Sequence, residues 1–277
     1  ARASRDPNRM QLIEVPAKTG YVWFRQGIWL FRRNPLAFIT LFFTYLLAIT
    51  LVSMVPVIGS ALPLVFIPGI AVGFMAACRD TVAGKTVMPT ILVDGFRSYG
   101  TVATQRLLAL GVIYVASMVL VFAASSFVDG GALFHVMMGT ADEANTTPET
   151  LAAQGTLGAL FFATLLYLPV AMLFWFAPVL VAWHDVPPAK ALFFSVVSCW
   201  RNRGAFVVYG VLWFAVALGT SLALSLLLQA LGAGAYALTI MMPVTIIIVT
   251  MLYCSFYATY RGCFALNVDK NVENSVT

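Results

Sequence analysis

Charged side chains are missing from long stretches of this 277-residue sequence. Only 10% of its residues are Asp, Glu, Lys or Arg, whereas 61% are hydrophobic. Soluble globular proteins carry about 25% charged and about 45–50% apolar residues. The composition therefore excludes an ordinary soluble domain and indicates an integral membrane protein. The net charge of +5 then reflects membrane topology, and no nucleic-acid partner is expected.

The signature motifs of common enzyme classes are missing too. The sequence has no GxSxG, no HExxH, no P-loop and no glycine-rich dinucleotide fingerprint. His184 and Asp185 are adjacent, but neighbours on a turn usually point apart, and no nucleophile stands beside them. His135 has no second ligand at a fixed spacing. We therefore expect a non-enzymatic protein without catalytic residues, a cofactor or a metal site.

Paired cysteines are also missing. Cys78, Cys199, Cys254 and Cys263 form neither a CxxC motif nor a Cys/His spacing typical of metal ligands. All four lie at or near the ends of apolar runs that face the cytoplasm in the topology predicted below. We expect them to be reduced side chains that pack between helices.

Six apolar runs remain, and none has an Asp, Glu, Lys, Arg or His near its middle, where ion-coupled transport usually needs one. Each is roughly 20 residues long, enough for a helix to cross roughly 30 Å of hydrocarbon. Such continuous runs favour helices over the alternating strands of a barrel. We predict an all-α fold, a polytopic membrane helical bundle with six transmembrane helices over residues 36–57, 61–78, 107–127, 161–183, 205–230 and 236–257.

The positions of the charges orient these spans. All 16 Lys and Arg residues fall in residues 1–35, 79–106, 190–203 and 261–270. Cytoplasmic loops of membrane proteins are enriched in Lys and Arg. We therefore predict a single integral membrane domain, residues 1–277, in the bacterial cytoplasmic (inner) membrane, with both termini in the cytoplasm. Residues 1–20 are expected to form a solvated cytoplasmic tail and residues 128–156 a periplasmic loop.

A short motif recurs directly before three of the spans. An aromatic residue, an arginine, two further residues and then proline or glycine occupy residues 31–35, 96–100 and 200–204, which we call the elbows. A short amphipathic helix predicted to lie at the membrane surface leads into each elbow, and before the first elbow Phe24, Ile28 and Phe31 form its apolar stripe. We predict three tandem repeats of an interfacial helix and a transmembrane hairpin. The alternative is that such short matches arise by chance at cytoplasmic helix ends.

Each elbow contains an arginine beside its aromatic residue, namely Arg32, Arg97 and Arg201. A pseudo-symmetric arrangement of the repeats would bring these arginines to one cytoplasmic rim. Guanidinium groups bind phosphate in a bidentate manner, and each cation near an anionic leaflet contributes on the order of 1 kcal/mol. We therefore predict that the three arginines bind the headgroups of anionic phospholipids. The alternative is that each arginine only anchors its own helix.

Prolines lie within the second, fourth and sixth spans, at Pro63, Pro68, Pro169, Pro178 and Pro243. Proline-broken helices can expose carbonyl oxygens to a transported solute. They can also be simple kinks, because neighbouring helices restore the lost hydrogen bonds. We favour kinks.

Three stretches of the chain resemble a known family. They are GIWLFRRNP from Gly27, the proline-rich hairpin that ends at Arg79-Asp80, and PPAKAL from Pro187 followed by Ser195 and Arg201-Asn202. Together they resemble a family of six-helix bacterial inner-membrane proteins that is distantly similar to the YciC type. The resemblance implies an inner-membrane location and the repeated hairpin plan. It implies no activity and no catalytic residue.

Charge-free spans rich in Phe, Leu, Ala and Gly suit packing against lipid and other helices better than moving ions. The favoured function is therefore an accessory or assembly subunit, or a lipid-contacting scaffold, of an envelope complex. The expected partners are membrane lipids, anionic phospholipids in particular, and other membrane-protein subunits. The alternatives are a channel or uniporter for a small neutral or amphipathic solute and, third, an intramembrane enzyme acting on lipid.

The charge distribution makes the topology testable with reporter fusions. Alkaline phosphatase is active only on the periplasmic side, so a fusion after Asn145 should be active. Fusions after Gly84, Pro188 or Asn267 should be silent, because these positions adjoin the Lys- and Arg-containing segments. Activity at any of these three positions would overturn the six-span topology.

Overall fold

The computed structural model describes residues 11–55, 59, 62–138 and 155–265, and this part of the chain is almost entirely helical. Six of its helical segments are long and apolar enough to cross a membrane. The predicted all-α fold with six spans is therefore confirmed, whereas the threefold repeat stays a prediction. The first outer turn at residues 56–58, 60 and 61, most of the predicted periplasmic loop and the tail from Asn267 lie outside the described residues.

Short and long helices alternate along the chain. The elements are β1 (Gln11–Leu12), α1 (Thr19–Arg33), α2 (Pro35–Ser53), α3 (Leu62–Val82), a 3-10 turn (Pro89–Val93), α4 (Asp94–Arg97), α5 (Gly100–Asp129), α6 (Ala132–Met138), α7 (Thr156–Phe174), α8 (Ala177–His184), α9 (Pro188–Arg201), α10 (Arg203–Ala230), a 3-10 turn (Gly234–Tyr236), α11 (Ala237–Cys263) and β2 (Phe264–Ala265). The spans are α2, α3, α5, α7 with α8, α10 and α11.

The helices form two compact units. The first contains α1, α10 and α11 together with parts of α2, α3 and α9. The second contains α4 to α8 together with the remaining parts of α2, α3 and α9. The single membrane domain that the sequence suggests stays a prediction.

In the first unit, α1 packs directly against α10 and α11. Two glycines permit this contact. A Cβ atom on Gly20 would lie 2.1 Å from the carbonyl oxygen of Ala205, and one on Gly27 would lie 2.3 Å from the Cβ of Ser255. Both distances are far below van der Waals contact, so any larger side chain would push α1 away from its neighbours.

The buried face of α1 differs from the predicted one. The sequence suggested an apolar stripe of Phe24, Ile28 and Phe31, but the fully buried residues are Gly20, Trp23, Gly27, Leu30 and Phe31. Hydropathy alone misplaced the stripe because glycine contributes little to an apolar pattern. Close backbone approach, rather than side-chain hydrophobicity, selects the face that packs.

The second unit has a small apolar core on α5, α6 and α7. Small residues of α7, Ala159 and Ala163, pack with Val121 and Leu133. At the end of α5 the Asp129 carboxylate accepts hydrogen bonds from the backbone N–H of Gly131, at 3.0 Å, and of Leu133, at 2.7 Å. The carboxylate therefore caps the start of α6, because the first N–H groups of a helix have no partner within the helix.

The fourth span is interrupted between α7 and α8. The Ser195 hydroxyl on α9 donates to the carbonyl oxygen of Met172 at 2.7 Å and accepts from the N–H of Phe176 at 2.9 Å. In a continuous α-helix these two backbone groups would bond to each other. The hydroxyl is therefore inserted into the hydrogen-bond ladder, which is a recognised cause of a kink. Both backbone groups keep a partner, as a lipid environment requires.

The other prolines within described helices do not interrupt them. Helices α3, α7 and α11 continue through Pro68, Pro169 and Pro243. Only the fourth span among the described spans is broken. At that break the Ser195 hydroxyl bonds the backbone groups of Met172 and Phe176. These observations agree with proline kinks in packed helices.

Removing the Ser195 hydroxyl tests this kink. Ser195→Ala should lower the free energy of unfolding by about 1–3 kcal/mol, because the Met172 carbonyl oxygen and the Phe176 N–H lose their hydrogen bonds to the hydroxyl. The measurement is thermal unfolding of the purified protein in mild detergent. Ser198→Ala is the matched control, since Ser198 is also buried but its hydroxyl has no hydrogen-bond partner among the described residues. Equal losses for the two variants would contradict the assigned role.

Candidate functional site

The three predicted headgroup arginines all lie exposed at helix ends. Arg32 is in the last turn of α1, Arg97 ends α4 and Arg201 ends α9. Arg32 and Arg201 belong to the first unit and Arg97 to the second. Their gathering at one rim, and their binding of lipid, stay predictions.

Arg201 already has an acidic partner within the chain. Its Nε lies 2.5 Å from a carboxylate oxygen of Glu14, and both side chains are more than half exposed. Exposed ion pairs contribute about 0–1 kcal/mol, because water screens them. A phosphate group at Arg201 would therefore compete with a weak internal partner, which the sequence pattern did not reveal.

The aromatic residues of the three elbows have different surroundings. Phe31 is buried, whereas Trp200 is 61% exposed. Phe96 packs with its ring over Gly69 of α3, where a Cβ atom would overlap the ring. The recurring sequence motif therefore does not create three equivalent environments.

Asn202, between α9 and α10, is the most connected polar residue of the third elbow. It is only 1% exposed. Its Oδ1 accepts from the N–H of Val15 at 2.8 Å, and its Nδ2 donates to the carbonyl oxygens of Ile13, at 3.0 Å, and Ser198, at 3.1 Å. These bonds satisfy the donor and acceptor atoms of a buried amide. Asn202 thereby joins the segment before α1 to the start of α10.

The segment before α1 is more ordered than a solvated tail. Strand β1 pairs antiparallel with β2, with Gln11 opposite Ala265. The N–H of Ile13 donates to the carbonyl oxygen of Cys263 at 2.9 Å. A few apolar residues so close to the N-terminus were too short a pattern to predict this pairing. The cytoplasmic location of the tail stays a prediction.

The outward face of α1 combines cations with aromatic rings. The guanidinium of Arg25 lies 5.8 Å from the ring centre of Tyr21, and that of Arg33 lies 4.4 Å from the ring centre of Trp29. Tyr21 and Trp29 are each about half exposed. Both distances fall within the range of cation–π attraction. The outward face of α1 therefore presents ordered guanidinium groups.

A groove of about 560 Å³ lies between α1, the end of α3 and the last turns of α11. The buried residues Trp23, Leu30 and Ala258 contribute to its lining. The aromatic side chains of Trp29 and Tyr257 line it as well. The indole N–H of Trp23 has no hydrogen-bond partner among the described residues.

The polar residues of this groove are mostly cations and amides. Gln26 and the exposed Arg261 line it, and Gln26 also lines an adjoining cavity of about 260 Å³ bordered by Tyr21 and Arg25. Among the described residues, no Asp or Glu lines either cavity. We call the two cavities together the α1 groove. The cationic, amide and apolar residues that line the α1 groove can together accept a ligand that has an anionic group beside an apolar one.

Sequence reasoning missed most residues of the α1 groove. The one available signal was the spacing of Gly20, Trp23 and Gln26 with Gly27, which places them on neighbouring faces of one helix. No signal connected Arg261 with α1, because more than 200 residues separate them in sequence.

The adjacent pair His184 and Asp185 lies at the end of the fourth span. Asp185 has a left-handed backbone conformation, with φ of 53°. Arg106 donates from Nη1 to the Asp185 carbonyl oxygen at 2.8 Å and also forms an ion pair with its carboxylate. Trp183 donates from its indole to the Tyr99 hydroxyl at 2.9 Å. Arg106 thus joins α5 to the end of α8.

The four cysteines are buried and form no disulfide. Burial raises the pKa of the Cys199 thiol well above its ordinary value, so this side chain stays protonated. Within the described ranges no three His, Cys, Asp or Glu side chains are grouped as metal ligands would be. The expectation of a protein without metal or cofactor stays a prediction.

Six helices long and apolar enough to cross a membrane define a polytopic membrane protein. A probable inner membrane protein of Burkholderia thailandensis is 71% identical over 257 residues, which cover 93% of this chain and 95% of that protein. The chain belongs to the family of that protein. No family model matches the chain, and no solved structure matches it. The similarity to the YciC type therefore stays a resemblance, and the orientation of the termini stays a prediction.

The Asn202 amide offers a test of how the segment before α1 is retained. Asn202→Ala should increase hydrogen exchange of the Val15 amide at least about tenfold, because a buried hydrogen bond contributes roughly 1.4 kcal/mol or more when its loss leaves a group unpaired. The measurement is hydrogen exchange with mass spectrometry on the full chain. Arg201→Gln is the control, because it removes only the exposed Glu14 pair. A larger effect in the control would contradict the role of Asn202.

Proposed function

We propose that this inner-membrane protein is a non-enzymatic accessory or assembly subunit, or a lipid-contacting scaffold, of an envelope complex. The observation that carries the proposal is the outward face of α1. Its packing through Gly20 and Gly27 leaves Arg25, Arg32 and Arg33 exposed, and the guanidinium groups of Arg25 and Arg33 lie over aromatic rings. Arginine and aromatic residues on an amphipathic helix are typical of contact with anionic headgroups.

Helix α10 supports lateral association with other membrane helices. Ala215, Gly219 and Ala223 follow one another at intervals of four residues, and all three are exposed. A Cβ atom on Gly219 would meet no other atom within 4 Å. Small residues on one face allow two membrane helices to approach closely, which favours packing through dispersion contacts. This face suits an accessory subunit that binds other subunits of a complex.

The channel or uniporter alternative has weaker support. It needs proline-broken helices whose free backbone groups contact a solute. The break in the fourth span instead has its Met172 carbonyl and Phe176 N–H bonded to Ser195. A passage for solute would require that these bonds open.

The non-enzymatic assignment rests on the missing catalytic motifs together with the Arg106 contact that occupies Asp185.

The elbow arginines provide the test of lipid contact. In the combined variant Arg32→Lys, Arg97→Lys and Arg201→Lys, co-purifying anionic phospholipid should fall at least about fivefold, because ammonium groups cannot bind phosphate in a bidentate manner. Native mass spectrometry quantifies the lipid, and proteomic mass spectrometry of the same mild-detergent preparation quantifies partner subunits. Arg203→Lys is the control, since Arg203 is exposed and stacks on Trp200. Unchanged lipid and unchanged partner recovery would show that the elbows only anchor helices.

A further inference from the structure

We infer that the α1 groove is a binding site for the phosphate headgroup of an anionic phospholipid. This inference rests on the proposed function and deepens it, because it names a ligand class and residues outside the three elbow arginines. Arg25 and Arg261 are the cations of the site. Gln26 is a neutral hydrogen-bonding residue, and the aromatic side chain of Trp29 lines both cavities.

The charge of the groove selects an anion. Arg25 borders the smaller cavity and Arg261 lines the larger one, and Gln26 lines both. No acidic side chain among the described residues lines either cavity. Guanidinium groups match the oxygen atoms of a phosphodiester, and the amide of Gln26 adds donors. A cationic ligand would find no countercharge here.

The apolar lining selects a ligand with an apolar part. Leu30 and Ala258 are buried in the lining, and the rings of Trp29 and Tyr257 stand beside them. The buried Trp23 adds an indole N–H without a partner among the described residues. A buried donor of this kind is normally satisfied by an acceptor, and an ester or phosphate oxygen is one. The lining therefore fits the glycerol region of a lipid better than a free inorganic ion.

The size and position of the groove also fit a lipid. Its two cavities measure about 560 and 260 Å³. Together they fall within the range of ligand pockets, roughly 300–1,000 Å³. Val82, the last residue of α3, lines the larger cavity, as does Arg261 in the last turn of α11. The ends of two membrane spans lie at headgroup depth. A phospholipid can therefore reach this site while its acyl chains stay in the bilayer.

The test removes both cations of the groove from the full chain. Arg25→Gln with Arg261→Gln should weaken binding of phosphatidylglycerol about tenfold or more and leave the weak binding of phosphatidylcholine unchanged. Native mass spectrometry of the protein in detergent micelles, titrated with each lipid, gives the affinities. Lys190→Gln with Arg203→Gln is the matched control, because it removes the same charge at exposed positions outside the groove. The control should bind phosphatidylglycerol within about twofold of the wild type.

Three results would overturn the proposal. Equal phosphatidylglycerol affinity in the groove variant and the control would remove the site. Displacement of bound lipid by excess glycerol 3-phosphate would assign the groove to a soluble phosphoester. Dimers that dissociate in the groove variant would assign it to a second copy of the chain. If the double variant unfolds at a lower temperature than the wild type, Gln26→Leu replaces it and should likewise weaken phosphatidylglycerol binding.

The outcome separates this proposal from the proposed function. Partner recovery reports on the accessory role, whereas bound phosphatidylglycerol in the Arg25 and Arg261 variant reports on the groove. Loss of groove lipid with intact partner recovery supports the groove and leaves the accessory role in place. Intact groove binding in a preparation without partner subunits overturns the accessory role alone.

Discussion

The contact of α1 with α10 and α11 is the constraint on which the candidate site depends. Gly20 and Gly27 allow the backbones to approach so closely that a single added methyl group would overlap its neighbours. The approach encloses Trp23 beside the rings of Phe206 and Tyr209. It also determines which side of α1 faces outward. This packing geometry therefore determines which cations and rings of α1 are exposed and where the groove lies.

Two buried side chains form hydrogen bonds to backbone groups of other segments of the chain. Lipid offers no partners to backbone groups, so each must be satisfied by the protein. Ser195 bonds both groups that a kink separates in the fourth span. Asn202, outside the predicted spans, bonds the N–H of Val15 and the carbonyl oxygen of Ile13 in the segment before α1. Both residues belong to stretches that resemble the six-helix family.

These features agree with a protein that works through contacts rather than catalysis. The Asp, Glu, Lys, Arg and His residues of the spans lie at or near the ends of the spans, and Asp185 forms an ion pair with Arg106. The outward surfaces combine apolar side chains, small residues and guanidinium groups. Such surfaces suit the proposed contacts with lipid headgroups and neighbouring helices, because guanidinium groups bind phosphate and small residues allow helices to approach closely.

The sequence by itself determined the six helical spans, because hydrophobic length and the positions of charges are local properties that a bilayer reads directly. It also identified the third elbow as notable, although it pointed to Arg201 rather than Asn202. Only the tertiary structure decided which face of α1 is buried, that Arg261 joins Arg25 at one groove, and that Asn202 bonds Val15. The last pair is 187 residues apart. Such contacts depend on how helices pack, and close packing is set by side-chain shape rather than by hydropathy.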